Sequence, residues 1–145
     1  MNPLAERIFE EFLKKKNLKL TSQRRTILRQ ALKAGGHFSA EELLKLSKKK
    51  DGSISKATVY RTLTLLKTGR ILDEQDFGGG KMLYESAVGH RHHDHFVCIR
   101  CGKILEFENA HIEKLQDSEA KKLAFKVVYH SHKLFGFCKR CQSAS

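Results

Sequence analysis

Two short elements, Cys98-Ile99-Arg100-Cys101 and Cys138-Lys139-Arg140-Cys141, constrain this chain more than any other feature, because they set four sulfurs in two identically spaced pairs with 36 residues between them. A C-x-x-C turn brings two sulfurs near one point, and two such turns supply the tetrahedral S4 set that Zn(II) takes in structural sites. Gly102 follows the first pair, where the turn often needs a backbone conformation that only glycine takes cheaply. Two disulfides or four free thiols are the alternatives, and in a reducing compartment the spacing favours thiolate ligands. A thioredoxin-like redox pair fits less well, since neither knuckle is expected to open a helix after a strand. Four thiolates leave a tetrahedral ion no open position, so the site reads as structural.

That compartment is inferred from what the chain lacks. No apolar run among its 145 residues approaches the ~18 to 20 needed to cross a bilayer. Met1 to Lys16 mixes both signs of charge and has no uninterrupted apolar core, unlike a secretory signal. The expectation is a soluble, cytoplasmic protein with no membrane partner.

Charge and metal-binding residue types sort to opposite halves. Residues 1–84 hold 18 Lys and Arg against 9 Asp and Glu, whereas residues 85–145 hold 10 against 7. Seven of the eight histidines and all four cysteines lie beyond residue 85. The pattern predicts a basic module suited to a polyanion, followed by one rich in metal ligands. A merely solvated basic surface is the plain alternative for the charge alone.

The basic half reads as four helices, the last three opened by capping residues. Leu4, Ile8, Phe9, Phe12 and Leu13 recur at helical spacing up to Asn17. Thr21 caps a second helix carrying Ile27, Leu28, Ala31 and Leu32, which stops at Gly35-Gly36. Ser39 and Glu42 form a capping box, with Phe38 placed to pack on Leu43. Ser55 caps a fourth helix running to about Lys67, with Val59, Leu63 and Leu66 on one face and Tyr60, Arg61 and Thr64 on the other. Arg70 to Asp76, glycines 78–80 and Lys81 to Glu85 make a hairpin. Helices followed by a two-stranded hairpin, with the last helix basic on one side, predict a winged helix-turn-helix that binds DNA.

A polar stretch from Ser86 to His90 marks the boundary. Beyond it the pattern predicts strands at His93 to Ile99 and Lys103 to Phe107, a helix from Asn109 to Leu123, and a strand from Phe125 to Phe135. Within His90-Arg91-His92-His93-Asp94-His95, extended backbone sends His93 and His95 to one face and His92 and Asp94 to the other, so one run serves two metal sites. Imidazole with carboxylate suits Fe(II), Zn(II), Mn(II), Co(II) or Ni(II). Glu85, Glu106, Glu108 and Glu113 are near enough in sequence to complete either set, and His37, lone in the helical half, with His130 and His132, on one face of a late strand, are further candidates. Taken singly, His111 and His132 read as ordinary surface histidines.

Three stretches together carry a family likeness: Ser55-Lys56-Ala57-Thr58-Val59-Tyr60-Arg61; Phe77-Gly78-Gly79-Gly80-Lys81 leading to Tyr84-Glu85; and His92-His93-Asp94-His95 followed by Cys98-x-x-Cys101-Gly102-Lys103 and Glu106-Phe107. In these the chain resembles the ferric uptake regulator family of metal-dependent bacterial repressors, over about residues 18–141. The resemblance implies an α+β fold: a winged-helix DNA-binding domain over 1–85, a hinge at 86–91 and a small α/β metal-binding dimerisation domain over 92–145. It implies a regulatory metal on His37, Glu85, His93, His95 and Glu106, and a second site, absent from some members, on His92, Asp94, Glu113 and His130. Structural zinc falls on Cys98, Cys101, Cys138 and Cys141. Contacts to DNA fall on Lys19, Tyr60 and Arg61. The stretch between Glu85 and the histidines is one residue longer than in iron-sensing members, and Arg91 interrupts their histidine run. His111 and His132 match no family ligand.

The resemblance therefore implies a non-enzymatic, homodimeric, Fe(II)-sensing repressor of iron homeostasis genes on a pseudo-palindromic operator, with Mn(II), Co(II) or Zn(II) able to substitute. A peroxide-sensing repressor of the same family is the nearest alternative; that branch typically carries Asp where this chain has Glu85 and Glu106. A zinc sensor would usually need a further cysteine. Outside the family, a mononuclear metalloenzyme would use two histidines and a carboxylate with open positions, but five ligands saturate the metal. A zinc-ribbon RNA binder would need aromatic stacking residues exposed on the strands, where the sequence pattern is weak.

Overall fold

Short polar side chains stand where each N-terminal helix begins, and they decide its first residue. The computed structural model describes residues 2–78, 80, 82–88, 93–128 and 130–143. It divides into two compact units, Met1–His90 and Arg91–Ser145.

In the first unit, α1 (Pro3–Lys15) is capped by Asn2, whose side chain accepts from the amides of Leu4 and Ala5. The sequence reading had no cap there. α2 (Ser22–Ala34), α3 (Ala40–Lys50) and α4 (Lys56–Thr68) start after Thr21, Ser39 and Ser55, each accepting the amide three residues on. Gly35 ends α2 at φ +63°, a conformation that costs other residues strain. Strands β1 (Leu72–Asp76) and β2 (Met82–Ser86) pair antiparallel as the wing. Phe9, Leu13, Ile27, Leu28, Phe38, Leu43, Val59 and Leu66 meet in one core, each buried side chain contributing about 1.5 to 3 kcal/mol. The fold is a winged helix-turn-helix preceded by one extra helix.

The second unit is a three-stranded sheet in the order β4-β3-β5, with two helices. β3 (Asp94–Cys98) lies between β4 (Ile104–Phe107), antiparallel to it, and β5 (Lys133–Gly136), parallel to it. α5 (Ala110–Lys122), capped by Asn109, buries none of its residues. α6 (Lys139–Ser143) is short.

Three readings of this half need correction. Among the described residues the strand expected over Phe125 to Phe135 forms at Lys133–Gly136 alone, because β3 offers it four partners; Phe125, Val127 and Val128 stay exposed despite their β propensity. Cys138 does stand between a strand and a helix, since α6 opens immediately after it and the Gln142 amide donates to the Cys138 carbonyl at 2.9 Å. Exposed aromatics are present on the strands, with Phe96 on β3 and Phe135 on β5 uncovered within one chain. No helix is long and apolar enough to cross a membrane among the described residues.

Candidate metal centres

The two knuckles meet because β3 and β5 run side by side, with Cys98 registered against Gly136. Gly102, at φ +77°, returns its amide to the Cys98 carbonyl at 2.9 Å and closes the first turn. All four sulfurs are free thiols lying within 4.8 Å of one another, and Cys101 Sγ is 3.8 Å from Cys138 Sγ. A tetrahedron with Zn–S of about 2.3 Å has an edge of about 3.8 Å, so the spacing matches that ion.

Protons in this cluster are unequally held. The Cys98 thiol is drawn down to about 5, first by the Cys101 amide, which lies 3.5 Å from its sulfur, and then by those of Cys138 and Arg100. The Cys141 amide lowers Cys138, whereas Cys141 is pushed up to about 12, first by its hydrogen bond to Cys138 and then by burial. Sulfurs this close cannot all ionise without a cation among them. A redox pair would need two sulfurs; here four converge.

In the winged-helix unit a backbone splice sets up a second group. Phe38 and Tyr84 exchange amide hydrogen bonds of 3.0 and 2.8 Å, stitching the segment before α3 onto β2. Antiparallel pairing then sets residue 37 beside residue 85. His37 Nε2 lies 3.0 Å from Glu85 Oε2, with both side chains about nine-tenths buried. Gln75 donates to the other Glu85 oxygen at 3.3 Å, and the His37 ring meets Phe77 edge-on. A nearly buried imidazole and carboxylate at this distance are suited to sharing a cation.

The sheet of the second unit carries donors on both faces. Antiparallel register puts Glu106 opposite His95. His93, two residues before His95, has its Nε2 3.3 Å from Glu106 Oε1 and its ring 5.0 Å from that of His95. His95 is 2% exposed. On the other face Asp94, 1% exposed, reaches His130 Nε2 at 3.3 Å, and the same nitrogen is 3.5 Å from Glu113 Oε1. Asp94, Glu113 and His130 thus offer three ligand atoms near one point. His92 lies outside the described residues. His132, a late-strand candidate that matches no family ligand, also reaches Asp94, with Nδ1 3.8 Å from Oδ2. The period-2 spacing His130-Ser131-His132 marks both as candidates on one strand face, and the pairing with β3 is what sets His132 against Asp94.

On α4, Val59, Leu63 and Leu66 face the core, while Tyr60, Arg61 and Thr64 are exposed. The Tyr60 hydroxyl donates to Glu41 at 3.3 Å and Lys56 stands over its ring. Lys19 is exposed in the turn before α2, where its carbonyl accepts from Arg24 at 2.6 Å.

A winged-helix unit and a sheet unit carrying sulfur and imidazole-carboxylate sets make a two-domain architecture with donors suited to metal ions. The ferric uptake regulator family matches residues 15–135 by sequence profile. The ferric uptake regulation protein of Campylobacter jejuni is 39% identical over 142 residues, covering 97% of this chain and 89% of that protein. The Helicobacter pylori ferric uptake regulator, whose structure is described as revealing three functional metal binding sites, superposes with a TM-score of 0.79 at 35% identity, covering 95% of this chain and 93% of that one. The Campylobacter jejuni peroxide stress regulator superposes with a TM-score of 0.70 at 32% identity, over 97% and 100% of the two chains. The chain belongs to the ferric uptake regulator family. It is accordingly a metal-responsive regulator and not an enzyme.

Proposed function

We propose that this chain is a cytoplasmic, homodimeric repressor that binds a pseudo-palindromic operator in double-stranded DNA when loaded with Fe(II), and so regulates iron homeostasis genes. The observation that carries the reading is the His37–Glu85 pair, a nearly buried imidazole and carboxylate inside the winged-helix unit but outside its apolar core cluster. Its counterpart is the donor set His93, His95 and Glu106 in the other unit. We assign these five residues to one regulatory ion, with residues 86–91 as the hinge between a DNA-binding domain at 1–85 and a metal-binding dimerisation domain at 92–145.

Borderline nitrogen and hard oxygen donors suit Fe(II), and Mn(II), Co(II) or Zn(II) can replace it. An ion held by both sets supplies a bond between units, and its differential affinity for the closed arrangement is all that can shift the equilibrium. His37 and Glu85 bring the DNA-binding half to that bond. His93, His95 and Glu106 bring the dimerisation half. The four cysteines hold structural zinc, for which their spacing fits, and Asp94, Glu113 and His130, with His92, form a second site. Arg61 and Tyr60 on α4 read the major groove, and Lys19 contacts the backbone near the minor groove. Tyr60 must exchange its Glu41 contact for DNA.

Dimerisation is supported by a lateral row of half-exposed side chains, Leu105, Phe96 and Leu134, aligned across β4, β3 and β5. Leucines beside the phenylalanine make this an apolar docking face rather than a base-stacking platform. A second copy of the chain is the partner that a two-fold operator demands.

The likeness to a peroxide stress regulator favours one rival reading, in which iron-bound oxidation of a histidine is the signal. The test is operator binding under anaerobic conditions with Fe(II), Mn(II) or Zn(II), repeated after hydrogen peroxide, with mass spectrometry of His37 and His93. Iron sensing predicts binding that fresh Fe(II) restores and histidines without added oxygen. An oxygen atom gained on either histidine, with permanent loss of binding, would establish the rival.

A further inference from the structure

His132 occupies the same sheet face as Asp94 and stands directly beside it. The parallel register pairs His95 with Lys133, so the preceding residues, Asp94 and His132, are neighbours across the two chain segments. The His95 amide donates to the His132 carbonyl at 3.2 Å, which fixes the backbone at this point. Asp94 therefore lies between two imidazoles, one to each oxygen: His130 Nε2 is 3.3 Å from Oδ1 and His132 Nδ1 is 3.8 Å from Oδ2. The His132 ring is steadied edge-on against Phe107, with centroids 5.9 Å apart. Its Nδ1 is buried with no hydrogen-bond partner among the described residues. A small rotation of either side chain closes 3.8 Å to a hydrogen bond. The ligand atoms of Asp94, Glu113 and His130 cluster within 4.8 Å without His132. His132 thus addresses the carboxylate from behind the cluster.

We propose that His132 is a positioning residue for the Asp94, Glu113 and His130 cation site. Its Nδ1–H restrains Oδ2, so that Oδ1 stays directed at the point shared with His130 and Glu113. The carboxylate then offers one preset ligand atom and need not lose rotational freedom when a divalent ion arrives. Such outer partners typically alter metal affinity by about 10- to 100-fold. The inference rests on the assignment of that trio as a cation site, and the experiment separates the two.

Zinc-loaded full-length protein is titrated with Co(II), followed by calorimetry and by visible absorption of the bound ion, for the parent, His132→Ala, His132→Asn, His132→Gln and Glu113→Gln. The Asn amide nitrogen sits where Nδ1 does and can hold Oδ2. The Gln amide keeps bulk but reaches past that point. One class of Co(II) site should weaken about tenfold or more in His132→Ala and His132→Gln, with the other class unchanged, and His132→Asn should regain most of the affinity. A parent-like titration for His132→Ala overturns the role. So does His132→Asn as weak as His132→Ala, which would make His132 itself a ligand. If Glu113→Gln binds Co(II) as the parent does, the cation-site assignment fails instead. The Asn and Gln pair decides the matter even if the alanine variant is poorly folded.

Discussion

The winged-helix unit buries a full set of large apolar side chains, from Phe9 and Leu13 on α1 to Leu66 on α4 and Ile71 before the wing. In the sheet unit the buried apolar side chains among the described residues are Val97, Cys98 and Cys141, and two of those three belong to the sulfur cluster. Its helix α5 buries nothing, and Leu115, Leu123 and Phe125 stand well exposed. The first unit is stabilised by hydrocarbon transfer from water. The second lacks that term within one chain, and small domains of this kind are completed by metal or by a partner subunit. Stability in the sheet unit is therefore coupled to ligands, whereas stability in the winged helix is intrinsic.

The largest effect expected from this contrast comes from opening the sulfur cluster. Cys98→Ser should release zinc, whose binding to structural sites is worth on the order of 10 kcal/mol or more and is also folding energy. Protection from amide exchange should collapse over residues 93–143 and the dimer should dissociate, while α1 to α4 keep theirs. Equal loss of protection in both units would mean that the winged helix depends on the sheet unit after all.

A smaller and opposite effect is expected from the intrinsic core. Leu66→Ala removes a fully buried side chain and should destabilise the winged helix by about 2 to 5 kcal/mol. Zinc content and the melting of the sheet unit should not change. Differential scanning calorimetry would resolve the two transitions, and a joint shift of both would break the contrast.

The smallest concerns the wing. The Tyr84 hydroxyl donates to Glu74 at 2.9 Å, and its pKa is pushed up to about 12, first by burial and then by that bond. Tyr84→Phe should cost about 1 kcal/mol. Because the raised folded value favours the protonated phenol, this contribution is complete below the ordinary tyrosine pKa of about 10 and is lost as pH rises toward 12. Denaturant melts of parent and variant should differ at neutral pH and converge in strong alkali.

How much of this could be read from residues alone divides along the same line. Local chemistry was legible: Thr21, Ser39 and Ser55 cap as their types predict, the apolar face of α4 is buried, and the glycine-flanked wing pairs as a hairpin. Features set by pairing between distant segments were not. Phe125 to Val128 carry strand-forming side chains, yet no strand edge receives them. The bridge from Phe38 to Tyr84, which brings His37 to Glu85, leaves no periodicity to detect. His132 is legible as a strand-face candidate beside His130 but not as a neighbour of Asp94, which is 38 positions away and meets it through a parallel strand pair.

In the proposed reading a regulatory ion links an intrinsically stable DNA-binding unit to a ligand-dependent one, and His37 is where that link enters the winged helix. A two-state shift from 1:99 to 99:1 requires about 5.5 kcal/mol of differential affinity, so losing one tether on the winged-helix side should forfeit much of it. The direct measurement is operator binding by zinc-loaded parent and His37→Ala, titrated anaerobically with Fe(II) or Mn(II). The expected result is that His37→Ala keeps its zinc, its dimer and some divalent metal on His93, His95 and Glu106, but loses metal-activated DNA binding. Half-maximal operator binding at the same metal concentration as the parent would show that His37 is only a histidine beside the Ser39 cap, and that the two units are not linked through it.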